Sequence, residues 1–233
     1  MADEYAPLGE GRRFSARRPV RLSDCGPNGF LRPDGLARYL QDIATDDWDD
    51  TGIESSDTWL VRRTSFQLAP GASWPRLGDV VTLTTWCSGS GAAWAQRRTD
   101  VACDDRVVIE TVALWVPVGP AGHPVRVGPA FHDAYGEGSR RRISGRVERT
   151  EPGPDAARHP WPLRQTDLDV VGHVNNAALW SPLVEVAPEP LQFGSVTYHG
   201  SVEDGDEVTL VTEGNRWWLT VDELVRVAGE FRR

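Results

Sequence analysis

The 233 residues carry 25 Lys plus Arg against 34 Asp plus Glu, a formal net charge of −9, with 39% hydrophobic and 25% charged residues. Such a balance is that of a globular chain with room for one large core or two of about 110 residues, and it excludes the cationic surface that a nucleic-acid partner requires. No run approaches the ~20 uninterrupted apolar residues of a membrane helix, so no membrane partner is expected.

The first 14 residues lack the apolar core of a secretory signal. The cysteines, Cys25, Cys87 and Cys103, are odd in number and show no C-x-x-C spacing, which fits buried thiols in a reducing compartment. A cytoplasmic protein is therefore expected. All its basic residues are arginines, and Arg12, Arg13, Arg17 and Arg18 form a first cluster. That cluster reads as a solvated tail or as a docking patch for an acidic partner or phosphate-bearing carrier. The loop from Asp24 to Asn28 then introduces a helix over 33–48, with Pro33 in its first turn and Leu36, Leu40, Ile43 and Asp47 at helical spacing. Strands are predicted over 64–68, 78–85, 93–101 and 107–118 from their alternating apolar positions.

Residues 119–160 are rich in Gly, Pro and Arg, including Arg140, Arg141, Arg142, Arg146 and Arg149, and read as a connection. The loop from Asp169 to His173 precedes a helix over 177–185 that Pro182 should kink or shorten. Strands follow over 195–199, 205–212, 216–222 and 224–231. The order of signals in the two parts is the same, and GDVVTLTT from Gly78 returns as GDEVTLVT from Gly205. The expected fold class is α+β: an N-terminal domain over 12–130, a linker over 131–160 and a C-terminal domain over 161–233, each a helix packed on an antiparallel sheet. The halves would pair as a homodimer does, giving a pseudo-dimeric monomer or a homodimer of such chains.

The chemistry concentrates in DLDVVGHVNN, residues 167–176. Asp169 can act as nucleophile or general base, His173 can orient water or a carbonyl, and amides at a helix start can stabilise an oxyanion. Taken singly, Asn175 and Asn176 read as helix caps, Gly172 as a positive-φ turn residue, and Asp169 and His173 as a turn acid and a hydrogen-bonded structural histidine. No metal or redox cofactor is required.

Together these residues resemble the signature of hot-dog thioesterases of the 4-hydroxybenzoyl-CoA type. From about Arg21 to Arg233 the chain resembles the fatty acyl-acyl carrier protein thioesterases, which are tandem hot dogs. WLVRRTSFQL, SWPRLGDVVTLTTW, ETVALWVPV and SVTYHGSVEDGDEVTL carry the likeness beside the loop. The resemblance implies two tandem hot-dog domains that form a double hot dog. It also implies hydrolysis of a fatty acyl thioester of acyl carrier protein, or of coenzyme A, to free fatty acid and thiol.

Its site would comprise Asp169, His173, Asn175 and Ser201 as catalytic residues, with Val171, Gly172, Val174, Asn176, Trp59 and Trp94 around the substrate. Val171 and Ser201 stand where the family has Asn and Glu, and Glu203 is a nearby carboxylate able to substitute. In the first half Asn28 is expected in the histidine position, so one active site per chain follows. That half would supply the acyl-binding wall from among Trp59, Trp86, Trp94 and Trp115, with Gln41, Asp42 and Asp46 facing the channel or simply solvent. A catalytically weak acyl-binding protein is the alternative that Val171 and Ser201 suggest. A hot-dog dehydratase ranks last, because its D-x-N-P-x-H arrangement is absent.

Overall fold

The computed structural model describes Tyr5, residues 11–187 and residues 191–233. In the first half, β1 (Phe14–Pro19) precedes α1 (Pro33–Asp50), and β2 (Thr58–Leu68), β3 (Val80–Ser90), β4 (Ala95–Cys103) and β5 (Arg106–Val118) follow. Pro33 sits in the first turn of α1, where a missing N–H costs nothing, and Leu36, Ile43 and Asp47 are buried along one stripe. Thr51 closes the helix by donating its hydroxyl to Trp48 O at 2.6 Å.

The segment between the halves contains two short helices, α2 (Pro129–Tyr135) and α3 (Glu137–Arg140), and ends in β6 (Ala157–Pro160). In the second half the helix is broken as Pro182 requires: a 3-10 turn over Ala178–Trp180 hands over to α4 (Ser181–Val186), with the proline in the first turn of the new segment. The strands β7 (Phe193–Tyr198), β8 (Val208–Glu213), β9 (Arg216–Val221) and β10 (Leu224–Arg232) complete the chain.

All ten strands form one antiparallel sheet in the order β1-β3-β4-β5-β2-β7-β10-β9-β8-β6. The order reads the same from either end if β1 is matched to β6, β2 to β7, β3 to β8, β4 to β9 and β5 to β10. The two halves are thus related by a pseudo-twofold axis at the β2–β7 seam, where Ser65 pairs with Ser195. One continuous core spans the seam, joining Leu36, Ile43 and Phe66 to Leu183, Val196 and Trp217. The fold is α+β with helices on the sheet, as the repeat predicts. Among the described residues no helix is long and apolar enough to cross a membrane.

The seam depends on a glycine. Gly194 pairs with Phe66 across it, and a Cβ there would stand 2.6 Å from the Phe66 ring and 3.1 Å from Leu183. Both neighbours are fully buried, and Trp74 and Trp180 hold the Phe66 ring at centroid distances of 5.1 and 5.8 Å. Gly194→Ala is therefore expected to destabilise the protein by about 1–3 kcal/mol through overpacking, read as a lower urea midpoint at an unchanged m-value.

Candidate active site

Asp169 and His173 close a tight turn. Asp169 N–H donates to His173 O at 2.8 Å, and Gly172 N–H donates to Asp169 O at 3.1 Å. Gly172 has φ of 82°, the left-handed conformation that a side chain disfavours. One carboxylate oxygen of Asp169 accepts from the N–H groups of Val171 at 3.0 Å and His173 at 3.2 Å, so this acid fixes the histidine's backbone. Val171 lies on the exposed tip, while Val174 turns inward to the core and donates its N–H to Val202 O at 2.8 Å.

His173 forms a backbone bridge with Glu203, and its Nε2 lies 3.9 Å from Glu203 Oε1. Ser201 Oγ donates to that same oxygen at 3.2 Å. The carboxylate beside the imidazole is thus Glu203, with Ser201 tethering it. Both side chains are open to solvent, at 47% for His173 and 61% for Glu203. Asn175 behaves as a cap, its Oδ1 accepting from Ala177 N–H at 2.8 Å. Asn176 lends its carbonyl to the Tyr198 hydroxyl at 3.2 Å, and that hydroxyl accepts from Trp180 Nε1 at 2.9 Å.

The first half repeats this loop bond for bond, which fixes the correspondence. Gly26 N–H donates to Phe30 O, Gly29 to Gly26 O, Arg32 to Asp24 O and Leu31 to Pro75 O; Asp169, Gly172, Asn175 and Val174 make the equivalent bonds. Asp24 therefore matches Asp167, and both accept the N–H of an arginine three residues earlier, Arg21 and Arg164. The residue in the histidine position is Phe30, which corrects the expected Asn28; Asn28 occupies the place of Val171. The bridge that pairs His173 with Glu203 pairs Phe30 with Arg76, whose guanidinium stacks on the ring at 4.4 Å. Only the second-half loop carries an acid–base pair.

A cavity of about 220 Å³ lies in the first half, where α1 and α2 cover the sheet. Trp59, Trp115, Ala95, Arg97 and Cys87 line it from the strands, Ala44, Thr45 and Trp48 from α1, and Phe131 and Tyr135 from α2. Trp48, Trp59, Phe131 and Tyr135 stack in series at centroid distances of 5.9, 5.2 and 4.5 Å. At the far end Asp47, fully buried, accepts from Arg97 at 2.6 Å, Arg12 Nε at 2.9 Å and the Tyr135 hydroxyl at 2.8 Å. Burial pushes the Tyr135 hydroxyl up to about 12, so it remains a donor to this carboxylate. Because β2 and β7 are antiparallel, the Trp59 end of β2 lies beside the end of β7 that leads into Ser201 and Glu203. The aromatic cavity and the His173 loop share one end of the seam.

Other expected residues lie elsewhere. Trp94 packs on Gly91 and Gly145 and donates Nε1 to Ile143 O at 3.1 Å, holding the connecting segment rather than lining the cavity. Asp42 and Asp46 pair with Arg18 of β1 at 3.1 and 3.3 Å, and Arg12 pairs with Asp47 and Asp50, so these two members of the first arginine cluster serve α1 instead of forming a loose tail. Phe131, Tyr135, Trp48 and Arg97 were missed by sequence reasoning; Pro129 followed by apolar residues four apart was the available signal for α2. Cys87 lines the cavity, yet burial pushes its thiol up to about 11, far from the range of a nucleophilic cysteine. Iodoacetamide at neutral pH is expected to leave Cys87 unmodified and activity intact, as peptide mass mapping beside an activity assay would show.

Residues 11–125 match the family model of the acyl-ACP thioesterase N-terminal domain, and residues 151–226 match that of the acyl-ACP thioesterase C-terminal domain. An uncharacterized protein of Mycobacterium tuberculosis is 27% identical over 229 residues, spanning 92% of this chain and 89% of the relative. An acyl-ACP thioesterase from Bacteroides thetaiotaomicron superposes with a TM-score of 0.78 at 17% identity, over 94% of this chain and 96% of that one. A 12:0-ACP thioesterase from Umbellularia californica superposes with a TM-score of 0.76 at 16% identity, over 94% and 97% of the two chains. The ten-stranded sheet with its two helix-covered halves is thus the double hot dog of these structures.

Proposed function

This chain belongs to the acyl-ACP thioesterase family and is a thioester hydrolase, and from that premise we propose that it releases a fatty acid from acyl carrier protein at His173 and Glu203. The observation that carries this reading is the His173–Glu203 bridge, which replaces Phe30–Arg76 in one half only and lies at the cavity's end of the seam.

In this reading the acyl chain enters the aromatic cavity and its thioester rests at the loop. Glu203 takes a proton from water as the water oxygen bonds to the carbonyl carbon, and His173 orients that water. The C–S bond then breaks, Glu203 passes the proton it took from water to the leaving thiolate, and fatty acid and carrier thiol depart. Asp169 positions His173 through its backbone, Ser201 positions Glu203, and Asn175 caps the turn that follows. Gly172 and Val174 set the loop's shape, while Val171 and Asn176 flank the approach of the pantetheine arm.

Purified protein incubated with acyl-carrier and acyl-CoA thioesters, with free thiol followed by a chromogenic disulfide, tests the proposal. Turnover with a lower KM for the carrier thioester is expected. Tight binding of the thioester without thiol release would instead identify an acyl-binding protein, the reading that the apolar tip at Val171 favours.

A further inference from the structure

The strand order gives the aromatic cavity a direction. Its lining runs from Trp59 on β2, the strand at the seam, through Trp115 on β5 and Arg97 on β4 to Cys87 on β3. That path crosses three strand spacings, about 14 Å in all at about 4.8 Å each. It begins at the end of the seam shared with His173 and finishes on the Arg97–Asp47–Tyr135 cluster.

This floor is fixed. Asp47 is fully buried and holds three donors, so a chain that pressed further would have to separate buried charges from their partners. At about 220 Å³ the cavity is smaller than the roughly 300–1,000 Å³ of a pocket for a drug-sized ligand, so it suits one short run of methylenes.

We infer that the buried Asp47–Arg97–Tyr135 floor, about three strand spacings from the seam, limits the length of the acyl chain and makes this a medium-chain thioesterase. The inference rests on the proposed site, with the acyl group entering past Trp59. Below the limit each methylene adds about four-fold to kcat/KM, the return on burying one CH₂. Beyond it each further carbon costs about ten-fold or more, as for an overfilled hydrophobic pocket.

The test is the kcat/KM profile for thiol release from a saturated acyl-carrier series from butyryl to palmitoyl, using the wild type, Phe131→Ala and Ala44→Leu. The wild type should peak at a medium chain, inside the series and short of palmitoyl. Phe131→Ala removes an aromatic wall and should move the peak to longer chains, whereas Ala44→Leu fills the cavity from α1 and should move it to shorter ones. Thermal melts confirm that each variant is folded, and either variant alone suffices to read the shift. A wild-type profile that climbs through palmitoyl, or a peak that stays in place in every folded variant, overturns the chain-length inference while leaving hydrolysis intact. Absence of thiol release at every chain length overturns the proposed function and the inference with it.

Discussion

His173→Ala is expected to lower kcat by about 10²–10⁴, the usual contribution of a positioned acid–base group, with little change in KM. The side chain is 47% exposed and contributes nothing to the core, so a structural explanation of such a loss would have no support from packing. The backbone bonds that close the loop run through Asp169 and Gly172 and survive the substitution. Glu203→Gln should reproduce most of the loss, because it keeps the acceptor for Ser201 Oγ while removing the carboxylate's capacity to take a proton. Ser201→Ala should cost far less. Thiol-release kinetics beside thermal melts separate these cases: a His173→Ala enzyme at wild-type kcat would remove the imidazole from the chemistry.

Asp47→Ala is expected to produce the largest loss of stability, about 3–5 kcal/mol, although this position is remote from the thioester. The carboxylate is fully buried and receives Arg97, Arg12 and Tyr135. Removing it leaves the Arg97 guanidinium buried opposite Tyr135 without its counterion, a cost that no relaxation of α1 can supply. For a chain of this length the deficit corresponds to a fall in Tm of roughly 10 °C. Tyr135→Phe removes two hydrogen bonds, the one donated to Asp47 and the one accepted from Arg97, and should cost less, about 2 kcal/mol. The ordering of the two melts checks the account, and an Asp47→Ala protein as stable as Tyr135→Phe would mean that the cluster is hydrated and replaceable.

The central strands of both halves could be read from the sequence because each alternates apolar and polar residues under a helix, and the GDVVTLTT and GDEVTLVT pair announces the repeat. The outer strands could not. β1 contains FSARRP and β6 contains ARHP, edge segments whose arginines and prolines mimic a tail and a linker; β6 is exposed throughout, and in β1 Arg17 is exposed while Arg18 and Pro19 are half-buried. The helix α2, which supplies Phe131 and Tyr135 to the cavity, is hidden in the same Gly- and Pro-rich stretch.

At the loop, the turn that joins Asp169 to His173 was legible from their spacing before a helix, but the internal correspondence was not. Matching Asp24 to Asp169 places Asn28 against His173, whereas the hydrogen bonds match Asp24 to Asp167 and Phe30 to His173. The signal that decides it is an arginine three residues before each acid, Arg21 with Asp24 and Arg164 with Asp167, which closes the preceding 3-10 turn. Glu203 illustrates a related difficulty. It follows Ser201 by two positions, and only the bridge across the sheet's end brings it to the imidazole.

The most direct test of the account is single-turnover thiol release from octanoyl-acyl carrier protein by the wild type and by an Asp169→Ala, His173→Ala double variant of verified fold. Release by the wild type at least about 10²-fold faster than by the double variant is predicted. Equal rates in the two proteins would contradict catalysis at this loop.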